Sequence, residues 1–302
     1  VINGVKQEVL CNLKQITQEF KRLFHGRGGC FKGFEFLTID AIDTVLFVVY
    51  FSKISDELDG LLKDFFKTLH AQYGFKTVVL QKREGMKIQQ EVLFKELQLQ
   101  HYAIENELKY HIYLNEYQNI GFFGDMKNGR AFVAKHCYNK NVLNLFSYTC
   151  SFSVVALKNG VKQVVNVDMS KRALSIGRQN HIINGLDTKK VKFLPYNILK
   201  SWSKIKKFAL YDLIIIDPPS FQKGSFVASS DYVKIIKKLD ALGASNCMVL
   251  ACLNDPFLSA YDLISWFKEH AKTFEFKTVL ENLETFKSLD VKKSLKCVVF
   301  ER

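Results

Sequence analysis

Four short segments hold residues whose types and spacing suit chemistry on a nucleotide-like ligand. The sharpest is Asp217-Pro218-Pro219-Ser220-Phe221, which follows the apolar run Leu213-Ile214-Ile215-Ile216. Two prolines fix the backbone and cannot extend a sheet, so the Asp217 carboxylate and the Pro218 elbow are held rigidly where a buried strand ends. Phe221 and Phe226 follow, with rings that can hold an unstacked base or, equally, pack into a core. The second segment is Leu145-Phe146-Ser147-Tyr148-Thr149-Cys150-Ser151-Phe152. Small residues at Ser147, Thr149, Cys150 and Ser151 let a ligand come close to backbone where a strand turns into a helix. The third is Val167-Asp168-Met169-Ser170, in which Asp168 can accept from ribose hydroxyls. Either Asp168 or Ser170 can instead cap the next helix, and Ser170 is the better cap. The fourth is Tyr196-Asn197, where an amide can read an adenine edge or simply make a turn.

These residues need a sheet whose strands end on one side, and the second half of the chain supplies the pattern. Apolar strand-like runs at Val142–Phe146, Val164–Val167, Val191–Leu194, Asp212–Ile216 and Met248–Cys252 alternate with helical stretches at Ser153–Leu157, Lys171–Asn184, Tyr232–Leu242 and Leu258–Phe274. Alternation of this kind predicts a parallel sheet covered on both faces, with ligands at the C-terminal strand ends. Two further strands, near Thr278–Leu280 and Lys296–Phe300, predict an antiparallel hairpin at one edge. The expected architecture is an α/β, Rossmann-like, seven-stranded and mostly parallel sheet over residues 116–302. A smaller α+β domain over residues 1–115 precedes it.

In that first part, Val9, Leu10, Leu13, Ile16, Phe20 and Leu23 recur close to helical spacing and predict a helix over 5–24. The breaker His25-Gly26-Arg27-Gly28-Gly29 ends it. Phe34–Ile39 and Thr44–Phe51 read as strands with a turn near Asp40–Asp43. Leu58, Leu61, Leu62, Phe65, Phe66 and Leu69 predict a helix over 55–72, and Thr77–Gln81 a strand. Strand-like alternation returns over 96–120, including Lys109–Leu114.

Composition narrows the partners. The 302 residues are 48% hydrophobic, enough for real cores. No apolar run reaches membrane-span length, and no signal peptide is expected. The seven cysteines include no C-x-x-C pair and no metal-ligand spacing, which suits free thiols in a reducing cytoplasm and argues against a metal site. The formal net charge of +13 attracts polyanions, nucleic acid first, although a lysine-rich codon bias would also raise it. Lys223 and the 25–29 loop are candidates for phosphate contact. The lysines at 189–190, 204–207 and 292–293 read by default as solvated faces.

Taken together, Asn144–Phe152, Val167–Ser170, Tyr196-Asn197 and Asp217–Phe226 resemble the motifs of class I methyltransferases. More narrowly they are similar to a bacterial family that includes cytosine-C5 and guanine-N7 methyltransferases of large-subunit ribosomal RNA. The upstream Asn119–Arg130 segment shares the resemblance. It covers residues 95–302 well and the N-terminal part loosely. It implies S-adenosyl-L-methionine as cofactor, RNA as partner, and a cytoplasmic enzyme of RNA methylation and rRNA processing. Phe146, Thr149 and Cys150 would line the methionine end, with Ser147 beside them. Asp168 would hold the ribose and Asn197 the adenine. Asp217 would stand near the sulfonium and the target base, and Asp125 would close the site.

The chain departs from the family at Cys150 and Ser151, where glycines are usual, and at Asn197, where an acidic residue is commoner. It also has Lys127 where an arginine often stands, with Arg130 nearby. The cytosine enzymes carry an RNA-binding module before this region that the chain does not obviously have. Cytosine C5 needs a cysteine nucleophile. Cys252 is tempting, but the family's nucleophile falls nearer Asn254, so a nitrogen target is expected. A dehydrogenase would want the missing G-x-G-x-x-G fingerprint. A module that grips cofactor or RNA without catalysis, or an enzyme acting on protein or a small molecule, are the remaining alternatives.

Overall fold

A computed structural model describes residues 1–14, 18–84, 87–94, 100–114, 119–222 and 224–302. The chain divides into two units, residues 1–124 with 283–290 and residues 125–282 with 291–302. Ile16 and Lys223, both named above, lie outside the described residues.

In unit 1, α1 (Asn3–Leu13) is followed by β1 (Lys21–His25), β2 (Leu37–Ile42), β3 (Val45–Tyr50), α2 (Asp56–Tyr73), β4 (Thr77–Glu84) and β5 (Lys87–Leu93). These strands form one sheet in chain order, antiparallel except for the parallel β3–β4 pair that α2 connects. Ser55 caps α2 by accepting from the Leu58 amide, and Gly74 ends it in the left-handed region. β6 (His101–Glu105) and β7 (Leu108–Ile112) form a separate hairpin whose turn residues Asn106 and Glu107 have φ of 49° and 65°.

The helix expected over 5–24 stops at Leu13, and residues 21–25 are a strand instead. A bulge between Arg22 and Phe24 turns consecutive Leu23 and Phe24 both inward, which produced the helix-like spacing. The β2–β3 turn also lies later than expected, at Asp43, because Asp40 is a buried strand residue paired with Arg22.

Unit 2 opens with α3 (Lys127–His136). It continues through β8 (Asn141–Leu145), α4 (Ser151–Lys158), β9 (Gln163–Val167), α5 (Lys171–Ile183), β10 (Val191–Leu194), α6 (Trp202–Lys206) and β11 (Tyr211–Ile216). Two short strands, β12 (Phe221–Gln222) and β13 (Phe226–Val227), lead to α7 (Ala228–Ile236), α8 (Leu239–Leu242), β14 (Gly243–Leu253), α9 (Ala260–His270), β15 (Glu275–Leu280) and β16 (Lys296–Glu301).

The seven-stranded sheet runs β10-β9-β8-β11-β14-β16-β15. Its first five strands are parallel, while β16 is antiparallel to both neighbours and inserts between β14 and β15. Strand order reverses between β8 and β11, so their C-terminal ends open the crevice where ligands bind in such sheets. Alternate residues sort onto the two faces. Leu143, Leu145, Ile214 and Ile216 pack with Tyr232, Ile235 and Phe267, whereas Val142, Val164, Leu213 and Ile215 pack with Val133, Phe152 and Ala156. No helix among the described residues is long and apolar enough to cross a membrane.

Candidate functional site

The turn after β8 is built from strained backbone. Phe146, Tyr148 and Cys150 have φ of 58°, 45° and 62°, a region that favours glycine. Several bonds hold it there. The Ser147 amide donates to Val167 O at 3.2 Å, and the Cys150 amide to Ser147 O at 2.7 Å. Asp168 accepts from the Tyr148 amide at 2.9 Å and from the Ser170 amide at 2.8 Å. Burial pushes its carboxyl above the usual range, and those two amide bonds oppose the shift. Ser170, not Asp168, caps α5 by accepting from the Ala173 amide. Asp168 is thereby left as a link between the turn after β8 and the end of β9.

The structure brings Phe146, Asp168 and Asn197 to one cleft, with Met169, Gln222 and Phe226 beside them. Two buried polar atoms in this region have no hydrogen-bond partner, Asn197 Oδ1 and Ser147 Oγ. A shielded acceptor without a donor is costly unless a ligand satisfies it. An adenine amino group has the donor that Asn197 Oδ1 lacks, and ribose hydroxyls suit the Asp168 carboxylate. The residues present therefore fit the adenosine half of S-adenosylmethionine. Thr149 and Cys150 do not line this cleft; both are buried, and Cys150 packs against α5.

On the other side of the crevice, the Asp217 amide reaches Leu145 O at 3.5 Å, which sets the Asp-Pro-Pro elbow against the end of β8. Loss of water around the Asp217 carboxyl and the nearby Asp125 carboxylate push its pKa up to about 7, while the Arg130 charge pulls it down. Arg130 is fully buried in α3, whereas Lys127 is half-exposed. The arginine expected near Lys127 is thus supplied one helical turn later. Pro218 is buried and Pro219 exposed. Phe221 and Phe226, read alike in the sequence, differ sharply. Phe226 is buried against Phe146, ring centroids 4.9 Å apart, while Phe221 is 65% exposed.

Cys252 is fully buried, 3.7 Å from the Cys297 sulfur. That neighbouring thiol and burial hold it protonated, well above the usual thiol range. The thiolate that nucleophilic attack requires is disfavoured. Asn254 lies closer to the elbow, where the Ser220 hydroxyl donates to its carbonyl at 2.9 Å. Among the described residues no His, Cys, Asp or Glu group could hold a metal ion.

Several supporting residues escaped the sequence reading. A buried chain of hydrogen bonds crosses beneath the turn. Asn144 Nδ2 donates to Asn166 Oδ1 at 2.8 Å, Asn166 Nδ2 to Ser153 Oγ at 2.9 Å, and Ser153 meets His181 Nε2 at 2.9 Å. His181 Nδ1 lies 2.7 Å from Gly177 O, so it carries the proton and Nε2 accepts. Burial keeps this histidine neutral by lowering its pKa. Asn180 Nδ2 donates to Thr149 O at 3.0 Å, tying α5 to the turn itself. Tyr232 OH lies 3.3 Å from Ile216 O and 3.0 Å from Cys252 O, fixing the spacing of β11 and β14 just before the elbow. The only sequence signal for this set was asparagine at apolar strand positions 144 and 166.

A family model described as S-adenosylmethionine-dependent methyltransferase matches residues 21–301, and the chain belongs to that family. The Ribosomal RNA large subunit methyltransferase I of Aeromonas hydrophila subsp. hydrophila is 35% identical over 191 residues, 61% of this chain and 48% of that protein. The protein of the same name from Escherichia coli O139:H28 is 32% identical over 190 residues, with the same coverage of 61% and 48%. The chain spans about half the length of these curated relatives. Among solved structures, a methyltransferase complexed with SAH superposes with a TM-score of 0.85 at 23% identity, covering 100% of this chain and 80% of that one. The M. jannaschii tRNA m1G37 methyltransferase reaches 0.63 at 14% identity, covering 99% and 96%. At such identities these two share the fold.

Proposed function

We propose that the chain transfers a methyl group to a base nitrogen of RNA, with ribosomal RNA as the substrate. The observation that carries this reading is Asp217, whose carboxyl is pushed up to about 7 at the switch point of the sheet, four residues before the exposed Phe221. The printed names of the curated relatives and the net charge of +13 support the choice of RNA.

S-adenosylmethionine supplies an electrophilic methyl group on a positively charged sulfur. Asp168 and Asn197 would hold its adenosine half, and the Phe146–Cys150 turn would receive the methionine half. Asp125 and Asp217 place negative potential where that positive charge would sit. Phe221 offers a stacking face for an unstacked base. Pro218 keeps the elbow from yielding as the base docks. The Asp217 carboxylate would take the proton that the methylated base nitrogen sheds. A group poised near neutral pH suits that transfer. A carbon target would need a thiolate, and Cys252 is held protonated in the core.

The test is transfer of labelled methyl from S-adenosylmethionine to deproteinised large-subunit ribosomal RNA, with mass spectrometry of the nucleosides. An N-methylated nucleoside is expected. Label appearing as 5-methylcytidine, or only in protein, would refute the reading.

A further inference from the structure

We propose that unit 1 carries a phosphate-binding site for the RNA backbone, formed by Arg27 and Arg83 over Phe51, with the charge of Arg22 nearby, and centred on the exposed Arg27. The site rests on the RNA reading above and gives that substrate a second point of contact.

The segment His25-Gly26-Arg27-Gly28-Gly29 is a rigid mount. A Cβ on Gly26 would stand 1.8 Å from Phe34 O, and one on Gly28 2.0 Å from Lys287 O. The Gly28 carbonyl accepts from the Leu289 amide at 2.8 Å and from the Ser288 hydroxyl at 3.2 Å. Both glycines are therefore pressed against backbone, and Arg27 between them is exposed.

The Arg27 guanidinium lies over the Phe51 ring, 4.2 Å from its centroid, and that of Arg83 lies 5.0 Å over the same ring. Arg22 lies 4.6 Å over Phe286 and pairs with the buried Asp40 at 2.5 and 3.1 Å. Three guanidinium charges thus converge, with Arg22 held by Asp40 and Arg83 Nε donating to Gln81 Oε1 at 2.7 Å. Among the described residues no carboxylate pairs with Arg27.

The crowding registers on Arg83, Arg27 and His25. Burial and the other two arginines lower Arg83 to about 10, and burial with Arg22 lowers Arg27. His25, pushed to about 3 by burial and by Arg22 and Arg27, is neutral and adds no charge. An arrangement that holds like charges together on aromatic faces is relieved by an anion. A guanidinium lying on a ring keeps its N–H edge for bidentate contact, and a phosphodiester matches that fork. Such contacts position a nucleic acid without reading its sequence.

The experiment measures binding of a fluorescein-labelled, mixed-sequence single-stranded RNA of about 20 nucleotides by anisotropy, across a salt series, for the full chain and for Arg27→Gln and Arg27→Lys. Arg27 is exposed, so neither change threatens the core; the thermal midpoint and calorimetry with S-adenosylhomocysteine confirm folding. Arg27→Gln is expected to weaken binding about 5-fold and to flatten the slope of log K against log salt by about 0.7, while Arg27→Lys keeps the slope. If the native chain binds RNA and Arg27→Gln leaves affinity and slope unchanged, the site is overturned and the RNA reading stands. If the native chain binds no RNA, both are overturned.

Discussion

Gly177 and Cys150 make a pair whose consequences can be worked out atom by atom. Gly177 lies within α5, where glycine costs about 1 kcal/mol against alanine. A Cβ there would stand 2.5 Å from Cys150 Sγ and 2.9 Å from Cys150 Cβ, well inside van der Waals contact. Overpacking of this severity costs up to about 3 kcal/mol, so Gly177→Ala should destabilise unit 2 by a net ~2 kcal/mol. Cys150→Gly removes a buried thiol, worth roughly 1.5–2 kcal/mol, but releases about 1 kcal/mol from a residue at φ 62°. Its net effect should be below about 1 kcal/mol. In the double variant the alanine methyl group occupies space the thiol has left. The two changes should therefore couple by up to about 3 kcal/mol, the overpacking that the double variant relieves, within the range seen for touching residues.

Two assays read this out. Urea unfolding of the four proteins gives the coupling energy. Calorimetry with S-adenosylhomocysteine reports on the turn, because Cys150 ends the segment that begins at Phe146 in the cleft. Gly177→Ala should weaken binding at least about 5-fold, and Cys150→Gly/Gly177→Ala should recover to within about 2-fold, a regain of at least about 0.5 kcal/mol. Strictly additive stabilities, or an alanine at 177 tolerated beside Cys150, would refute the packing argument.

Other expectations follow from the same geometry. With Asp217 pushed up to about 7, the rate of methyl transfer should rise with pH and level off above about 7, as the carboxylate form accumulates; Asp217→Asn should lower kcat at least about 100-fold and abolish that rise, measured by initial rates from pH 5.5 to 9. Cys252→Ala should retain methyl transfer to within a few-fold, in a tritium-transfer assay, because its thiol is held protonated in the core. Phe221→Ala should raise the KM for RNA about 10-fold or more, with cofactor affinity unchanged, whereas Phe221→Tyr should behave like the native chain. His25 has its pKa lowered from 6.5 to about 3, so the unfolded chain binds more protons between those values; stability should fall as pH drops through that window, and His25→Asn should reduce the slope in urea midpoints from pH 4 to 7.

Elements that bury one consistent face were legible in the sequence. β8, β9 and β11 fell where apolar runs predicted, because both faces of a central parallel strand are covered. Segments whose burial breaks periodicity were not legible. The bulge at Leu23-Phe24 mimicked a helix, and the run read as one helix over Tyr232–Leu242 is split into α7 and α8. The placement of β16 between β14 and β15 depends on pairing partners far apart in the chain, which a local pattern does not encode. In the site, residue types marked the cleft positions Phe146, Asp168 and Asn197. Exposure did not follow from type, since Phe221 and Phe226 have the same side chain and opposite surroundings.

The glycine-poor turn shows how a departure from family pattern is absorbed. Glycines are usual where Cys150 and Ser151 stand in the family whose motifs the sequence resembles. The backbone nevertheless adopts left-handed angles at 146, 148 and 150, the conformations glycine would take without strain. Non-glycine residues persist there only when neighbours overdetermine them. Here Asp168 anchors the Tyr148 amide and Asn180 anchors the Thr149 carbonyl. The room that a glycine at 150 would have left is supplied from the opposite side by Gly177, whose missing Cβ accommodates the Cys150 thiol. The thiol is directed into the α5 interface and away from the cleft that holds Asn197. The bulk that Cys150 adds to the turn is taken up behind it, against Gly177.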